Sequence, residues 1–424
     1  MPETSARLTL SDRMIRRESD GMALYAIPSP MKDVISFGGS IRTWPDQSAG
    51  AGIVQDLAVA LLDKGTRRRD RFAIADLIDN RGARLSFQSN ATRISFFGRA
   101  LKEDFDLVIE LLADQLRDPL FDPAEFEKAR ARFIGDIRRS MENPSALAHG
   151  ALMRQMFQPS QPNYAFTPEA RLEAVERLTV DDVTQFYAAH AGRREFTMAV
   201  AGDVGDGALL GTVVDRFRDW CVPTAAFDVE TSGMDRPAER VEVYVPDKQN
   251  VDVRLGHWLP LRRGHQDYLP LSLGTFILGG NFSSRLMTYV RDRRGLTYGI
   301  QSALSGMTTE YDGYWRISVT LSPDKLEEGI EATLGETGRF VEDGPTEEEV
   351  EDAKTTIIGA YEVDLASTDG LVGSLLTNIW RGLGPDYVDQ FPLDVAQVDA
   401  DSINEAIRSY LRPQMLHAVV AGSV

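Results

Sequence analysis

Cysteine and histidine are scarce in this 424-residue chain, and each shortage closes off a kind of chemistry. The single cysteine, Cys221, excludes an internal disulfide and any zinc site built on thiolates. Standing alone it reads as a buried, inert thiol. The five histidines, His149, His190, His257, His265 and His417, never fall three or four residues apart. No helical turn therefore presents two imidazoles to one metal, and each histidine is expected to be structural or solvent-exposed. Lysine is sparse as well, seven of the 46 basic residues, in a chain whose formal net charge is −18. Nucleic-acid binding needs clustered cations to displace counterions, so that class is disfavoured. Cationic or neutral partners, peptides among them, suit an acidic surface. Long apolar runs are missing too: stretches such as 276–278 and 418–421 fall far short of the ~18 residues that suggest a membrane span. Residues 1–30 mix Glu, Arg and Asp without the apolar core of an export signal. The sequence as given thus predicts a soluble cytoplasmic chain, or a periplasmic one if a leader has been removed.

What the chain does have is internal repetition. Leu178-Thr-Val-Asp-Asp-Val183 leads through a helical stretch to Phe196-Thr-Met-Ala-Val-Ala-Gly-Asp-Val204. Val398-Asp-Ala-Asp-Ser-Ile403 leads in the same way to Leu416-His-Ala-Val-Val-Ala-Gly-Ser-Val424, at an offset of 220 residues. Glu125-Phe-Glu-Lys-Ala-Arg-Ala-Arg-Phe-Ile-Gly135 parallels Glu349-Val-Glu-Asp-Ala-Lys-Thr-Thr-Ile-Ile-Gly359, and Leu101-Lys-Glu-Asp104 parallels Leu321-Ser-Pro-Asp324. Three blocks in one order imply a tandem duplication, with domains at 1–228 and 229–424. The junction falls in 225–239, where Thr, Ser, Gly, Asp and Pro collect.

Each copy mixes two periodicities. Leu85, Phe87, Ile94 and Phe96 alternate with polar residues, as half-buried antiparallel strands do. Phe105, Val108, Ile109, Leu112 and Leu116 recur at helical spacing and form one apolar stripe. Asp122 followed by Pro123 opens a further helix, with Asp122 as N-cap. The predicted fold class is α+β: a duplicated unit, each copy a mainly antiparallel sheet with helices packed on one face.

Two segments carry the functional argument. Gly52-Ile-Val-Gln-Asp-Leu-Ala-Val-Ala-Leu-Leu-Asp-Lys-Gly-Thr66 reads as a core helix that Gly65 can cap. In the second copy, Leu278-Gly-Gly-Asn-Phe-Ser-Ser-Arg-Leu286 precedes Tyr289-Val-Arg-Asp-Arg-Arg-Gly-Leu-Thr-Tyr298. Gly279 and Gly280 permit an unusual turn, Ser283 or Ser284 can N-cap a helix running to about Arg294, and a strand follows over 296–304. Arg291 and Tyr298 then sit on consecutive elements and can converge at one edge. Locally the alternative is simpler: Arg291 in a surface ion pair, Tyr298 in the core. Arg285, Arg293 and Arg294 read as a solvated or capping cluster at a helix C-terminus.

The order of these blocks, from about Arg17 to Val424, resembles the M16 peptidase family (pitrilysin, insulinase, mitochondrial processing peptidase). In that family the first helix carries His-x-x-Glu-His before a Lys-Gly-Thr-like turn, and another Glu follows roughly 75 residues later. The two His share a helix face and grip zinc, while the first Glu polarises its water. Anchored on Lys64-Gly-Thr66, those positions fall here on Asp56, Val59 and Ala60, and the distant Glu on or beside Asp136. The zinc motif is present in outline and empty of ligands. The second segment resembles the Arg/Tyr pair with which family members hold the substrate backbone and the developing oxyanion. The resemblance thus implies a chain without metal or cofactor of its own, paired 1:1 with a zinc-bearing M16 subunit. Arg291 and Tyr298, with Gly279 and Gly280 beside them, would bind a peptide substrate in support of the partner's zinc. A structural scaffold subunit and a partner in precursor-peptide maturation are the competing expectations, and an independent peptidase with an unrecognised site is a third.

Overall fold

The computed structural model describes residues 9–43, 48–221 and 230–423; the junction expected at 228/229 lies outside them. Eleven strands form two sheets among the described residues. The first holds β1 (Ile15–Ser19), β2 (Met22–Pro28), β3 (Val34–Arg42), β4 (Arg84–Asn90), β5 (Arg93–Leu101) and β6 (Phe196–Gly202), ordered β1-β2-β6-β3-β5-β4. The second holds β7 (Arg240–Tyr244), β8 (Val251–Leu259), β9 (Thr297–Ser305), β10 (Gly313–Leu321) and β11 (His417–Gly422), ordered β7-β11-β8-β10-β9. Without the extra edge strand β1, the two orders are the same. Each sheet has one parallel pair at the same place, β2 with β6 and β7 with β11, and is otherwise antiparallel. The duplication read from three sequence blocks is therefore a duplication of topology.

Local chemistry repeats with it. Thr179 and Asp182 make a reciprocal capping box at the helix Val180–His190, and Asp399 and Ser402 make one at Ala400–Tyr410. Each box satisfies two backbone N–H groups that a helix start leaves unpaired. Asp122 accepts from the N–H groups of Ala124 and Glu125, as expected for an N-cap before proline. The stripe Phe105, Val108, Ile109, Leu112 and Leu116 is fully buried along the helix Phe105–Arg117. Phe105 meets Phe37 of β3 edge-on, with ring centroids 5.9 Å apart. Burying each such side chain is worth about 1.5–3 kcal/mol, so this helix face anchors the first sheet.

The described residues pack as two compact units that do not follow the repeat boundary. One takes the chain up to Gly135, Arg171–Asp228 and Glu362–Gln390; the other takes Asp136–Ala170, Val229–Tyr361 and Phe391 onward. The helix Thr368–Trp380, from the second copy, packs on β3 and β6 of the first sheet. The helix Pro144–Met156, from the first copy, packs on β8 and β11 of the second. Besides the expected helical layer, each sheet thus has one helix over the centre of its other face. Small residues make room for it: a Cβ on Gly38 would lie 2.9 Å from Leu376 Cδ1, and one on Gly256 would lie 3.0 Å from Leu152 Cδ2. Polar residues on that face are satisfied, Ser36 by Thr368 at 2.8 Å and Arg254 by Ser145. Strands covered twice lose their alternation, which is why β6 is buried at every position.

Two local expectations are corrected. Cys221, expected buried, is exposed. The helix over the first motif runs Ala49–Leu61 from an N-cap at Ser48, and it ends before Gly65. Gly65, at φ +142°, instead bridges to Asp70, and Thr66 bridges to Pro119. No helix of the described residues is long and apolar enough to cross a membrane.

Candidate functional site

Asp56, Val59 and Ala60 share one helix, Ala49–Leu61, and Asp56 is engaged within the fold. Its carboxylate accepts a 2.5 Å hydrogen bond from Ser89 of β4. Burial pushes its pKa above the usual carboxylate range, against the Ser89 bond and the charge of Arg171. Val59 is buried in the core. Asp136 lies on the helix Pro123–Ser140, exposed and ion-paired with Arg139. Among the described residues, no group of three or more His, Cys, Asp or Glu side chains is placed to hold a metal ion.

The second motif has a different character. The segment after the helix Tyr268–Gly279 does not continue as an α-helix: Met287–Arg293 is a π-helix. Its wide turns close through Arg294 N–H to Tyr289 O at 3.1 Å. A π-turn inserts one residue into a helix and re-aims the side chains that follow. Asn281, not Ser283 or Ser284, organises the entry, accepting from the N–H and hydroxyl of Ser283 and, through its carbonyl, from Ser284 Oγ. Gly279 and Gly280 do not form an unusual turn either; Gly280 has ordinary helical dihedrals and Gly279 ends the helix. What demands glycine is close approach. A Cβ on Gly279 would sit 2.5 Å from Ser302 N of β9, and one on Gly280 2.4 Å from the Phe276 ring.

Of the nearby arginines Arg285 and Arg294 are occupied, while Arg293 is exposed and has no ion pair or side-chain hydrogen bond among the described residues. Arg285 makes a two-pronged bond to Glu349, both contacts 2.7 Å, and a third to Gly344 O. Arg294 is bound to Glu328 at 2.7 Å and to the Tyr289 hydroxyl at 3.2 Å. Arg291 itself has only the adjacent Asp292 at 3.3 Å and the face of Phe282, 5.9 Å from its guanidinium carbon. An exposed neighbour pair of this kind is worth little and leaves most of its donors free.

Tyr298 is the second residue of β9, the edge strand. Register passes from Ile300 opposite Val319 to Thr297 opposite Leu321, so Tyr298 and Gly299 together face Thr320. This is a β-bulge, which bends a strand and redirects a side chain. Thr297 holds it: its hydroxyl lies 2.7 Å from Thr320 O and accepts the Gly299 N–H at 3.1 Å. The result is an aromatic side chain 96% exposed, with no partner for its hydroxyl among the described residues. The local alternative that placed Tyr298 in the core is thereby corrected. Phe282, 76% exposed, is a second outward aromatic in the same segment that sequence reasoning passed over.

Two family models match stretches of the chain. The family models described as "Insulinase (Peptidase family M16)" and "Peptidase M16 inactive domain" match residues 57–167 and 177–357. The chain belongs to the M16 peptidase family. It is similar to an uncharacterised zinc protease of Streptomyces coelicolor, 25% identical over 84% of this chain and 78% of that one. It is similar also to the non-peptidase homolog YmxG of Helicobacter pylori, 21% identical over 84% and 81%. The crystal structure of a peptidase M16 inactive domain from Pseudomonas fluorescens has the same fold, with a TM-score of 0.87, 21% identity and coverage of 97% and 98%.

Within this M16 chain the histidines do other work. His190 bonds Thr43 O at 2.8 Å and stacks on Phe186. In His257, Nδ1 lies 2.7 Å from Trp258 O and Nε2 accepts the Arg412 N–H at 3.2 Å. Burial lowers its pKa to about 4, so the ring stays neutral. The π-helix and the bulge left no signal in the sequence. Each adds a single residue to an otherwise regular pattern.

Proposed function

We propose that this chain is the zinc-free subunit of a heterodimeric zinc peptidase, lending Arg291 and Tyr298 to the active site of a zinc-bearing M16 partner. The observation that carries the reading is an opposition within one chain. The family's ligand positions hold Asp56, Val59 and Ala60, while a bulged edge strand turns Tyr298 wholly outward and packs against the π-helix that carries Arg291, an arginine with spare donors. Tyrosine, an apolar ring with a polar tip, is enriched at binding surfaces, which supports a recognition role for one turned wholly outward. The relative named a non-peptidase homolog supports a role other than hydrolysis by the isolated chain.

In this reading the partner supplies zinc and the water-activating Glu. This chain supplies a guanidinium and a phenol, both hydrogen-bond donors toward carbonyl oxygen. Fixed donors aimed where negative charge develops lower a barrier by about 2–4 kcal/mol each. The substrate is a peptide or flexible segment. Gly279 and Gly280 would act indirectly, letting the helix that precedes the π-turn lie against β9. Co-expression with a zinc-motif-bearing M16 subunit tests the assignment. A 1:1 complex that cleaves a flexible peptide, with neither chain efficient alone, is the expected outcome. A complex that assembles and never cleaves would favour the scaffold role instead.

A further inference from the structure

A cavity of about 240 Å³ in the second unit lies between the segment leading into β7 and the sheet, away from Arg291 and Tyr298 in the sequence of elements. Its lining includes Arg236, His257, Trp258, Arg412 and His417, with Asp235 as its one carboxylate. A second recess of about 560 Å³ shares Arg236 and His417 with it and adds Arg154 and Glu239. Three groups here present donors that no described protein group takes up. His417 is 3% exposed, and its Nδ1 accepts the backbone N–H of Glu239 at 3.3 Å, which places the ring proton on Nε2. No acceptor among the described residues receives that proton. Burial, with Arg236 nearby, keeps the ring's pKa below its usual value despite Glu239, so the ring is a neutral donor. The guanidiniums of Arg236 and Arg412 have no ion pair or hydrogen bond among the described residues. The other polar groups are committed: both nitrogens of His257 are engaged, and the Tyr410 hydroxyl donates to Asp267 at 2.9 Å.

We propose that this cavity binds a small oxyanion, a carboxylate or phosphate group, held by His417 Nε2–H and the guanidiniums of Arg236 and Arg412. Two arginines against Asp235 leave one positive charge in the lining, which one singly charged oxyanion balances. A guanidinium fork and an imidazole N–H only donate here, and their bonds are strongest to an ionised acceptor, so an oxyanion is favoured over a neutral ligand and a cation is repelled. The site shares no residue with the proposed peptidase function and is tested without the partner.

The test is a titration of the full chain, labelled with ¹⁵N-histidine, using inorganic phosphate and separately acetate, at ionic strength fixed with chloride. The expected result is a saturable shift of the His417 ring nitrogens while His190 stays unmoved. Which anion saturates first tells a phosphate ligand from a carboxylate. Arg236→Ala and Arg412→Ala are each expected to weaken binding roughly ten-fold, the loss of one charge-assisted contact. Both arginines are exposed, so neither change should disturb folding. A shift that stays linear through the millimolar range for both anions overturns the proposal. So does saturable binding that survives in the Arg236→Ala/Arg412→Ala double variant.

Discussion

Thr297→Val removes one hydroxyl while keeping the side chain's branched shape, and it strikes the device that turns Tyr298 outward. Three contacts go with the hydroxyl: its approaches to Thr320 O at 2.7 Å and Gly299 O at 3.0 Å, which compete for its one proton, and the bond accepted from the Gly299 N–H at 3.1 Å. Gly299 is exposed, so its N–H can turn to water, whereas Thr320 O faces the bulge and loses its partner. At about 1 kcal/mol net for each hydrogen bond, the change should cost about 1–2 kcal/mol locally. Without this clasp, regular pairing beyond Ile300 would set Gly299 opposite Thr320 and Tyr298 opposite Leu321. A one-residue slip sends each side chain to the other face of the sheet. Amide hydrogen exchange reads the first effect, as faster exchange confined to the start of β9. Peptide cleavage by the complex with the zinc-bearing partner reads the second. A donor displaced by about 1 Å can lose up to 10²-fold in rate, so cleavage should fall well below wild type. Faster exchange at β9 with undiminished cleavage would show that the bulge does not position Tyr298. That result would refute the reasoning.

Two further outcomes test the fold. Leu376→Ala empties the contact between the helix Thr368–Trp380 and Gly38, and should destabilise the chain by about 2–5 kcal/mol in denaturant unfolding, since Leu376 is fully buried; a loss under 1 kcal/mol would mean the second face of the first sheet is loosely covered. For His257, burial depresses the folded pKa to about 4, below the ordinary unfolded value near 6.5. The unfolded chain therefore binds the proton first as pH falls. The stability that neutral His257 confers is complete above about pH 6.5 and is lost on the way down to about pH 4, by roughly 3 kcal/mol in all. Ring ¹⁵N shifts should show His257 still neutral at pH 5.5; a charged ring there would contradict its buried, doubly bonded placement.

Much of this could be read in advance, and the pattern of success is physical. Repetition, the stripe from Phe105 to Leu116 and the Asp122 cap are local or periodic features, and local features survive in sequence. The missing His pair is a matter of identity alone. The reciprocal packing of the helices Pro144–Met156 and Thr368–Trp380 is long-range: both read as apolar helices, but nothing local says which sheet each covers. Gly38 and Gly256 are its only trace, and a glycine can always be read as a turn. Gly279 and Gly280 were misread in that way, because close approach and turn geometry select the same residue. The π-turn at Met287–Arg293 and the bulge at Tyr298 each depend on one extra residue, below what periodicity resolves. They are also the features that set the direction of the two side chains on which the proposed function depends.

The most direct measurement is steady-state cleavage of a flexible peptide by the complex with a zinc-bearing M16 partner, comparing wild type with Tyr298→Phe and Arg291→Ala in this chain. The account predicts no cleavage by this chain alone. It also predicts that each variant lowers kcat/KM by about 2–4 kcal/mol of transition-state stabilisation without weakening assembly of the complex. Stoichiometric zinc and turnover in the isolated chain, or wild-type kcat/KM in both variants, would contradict it.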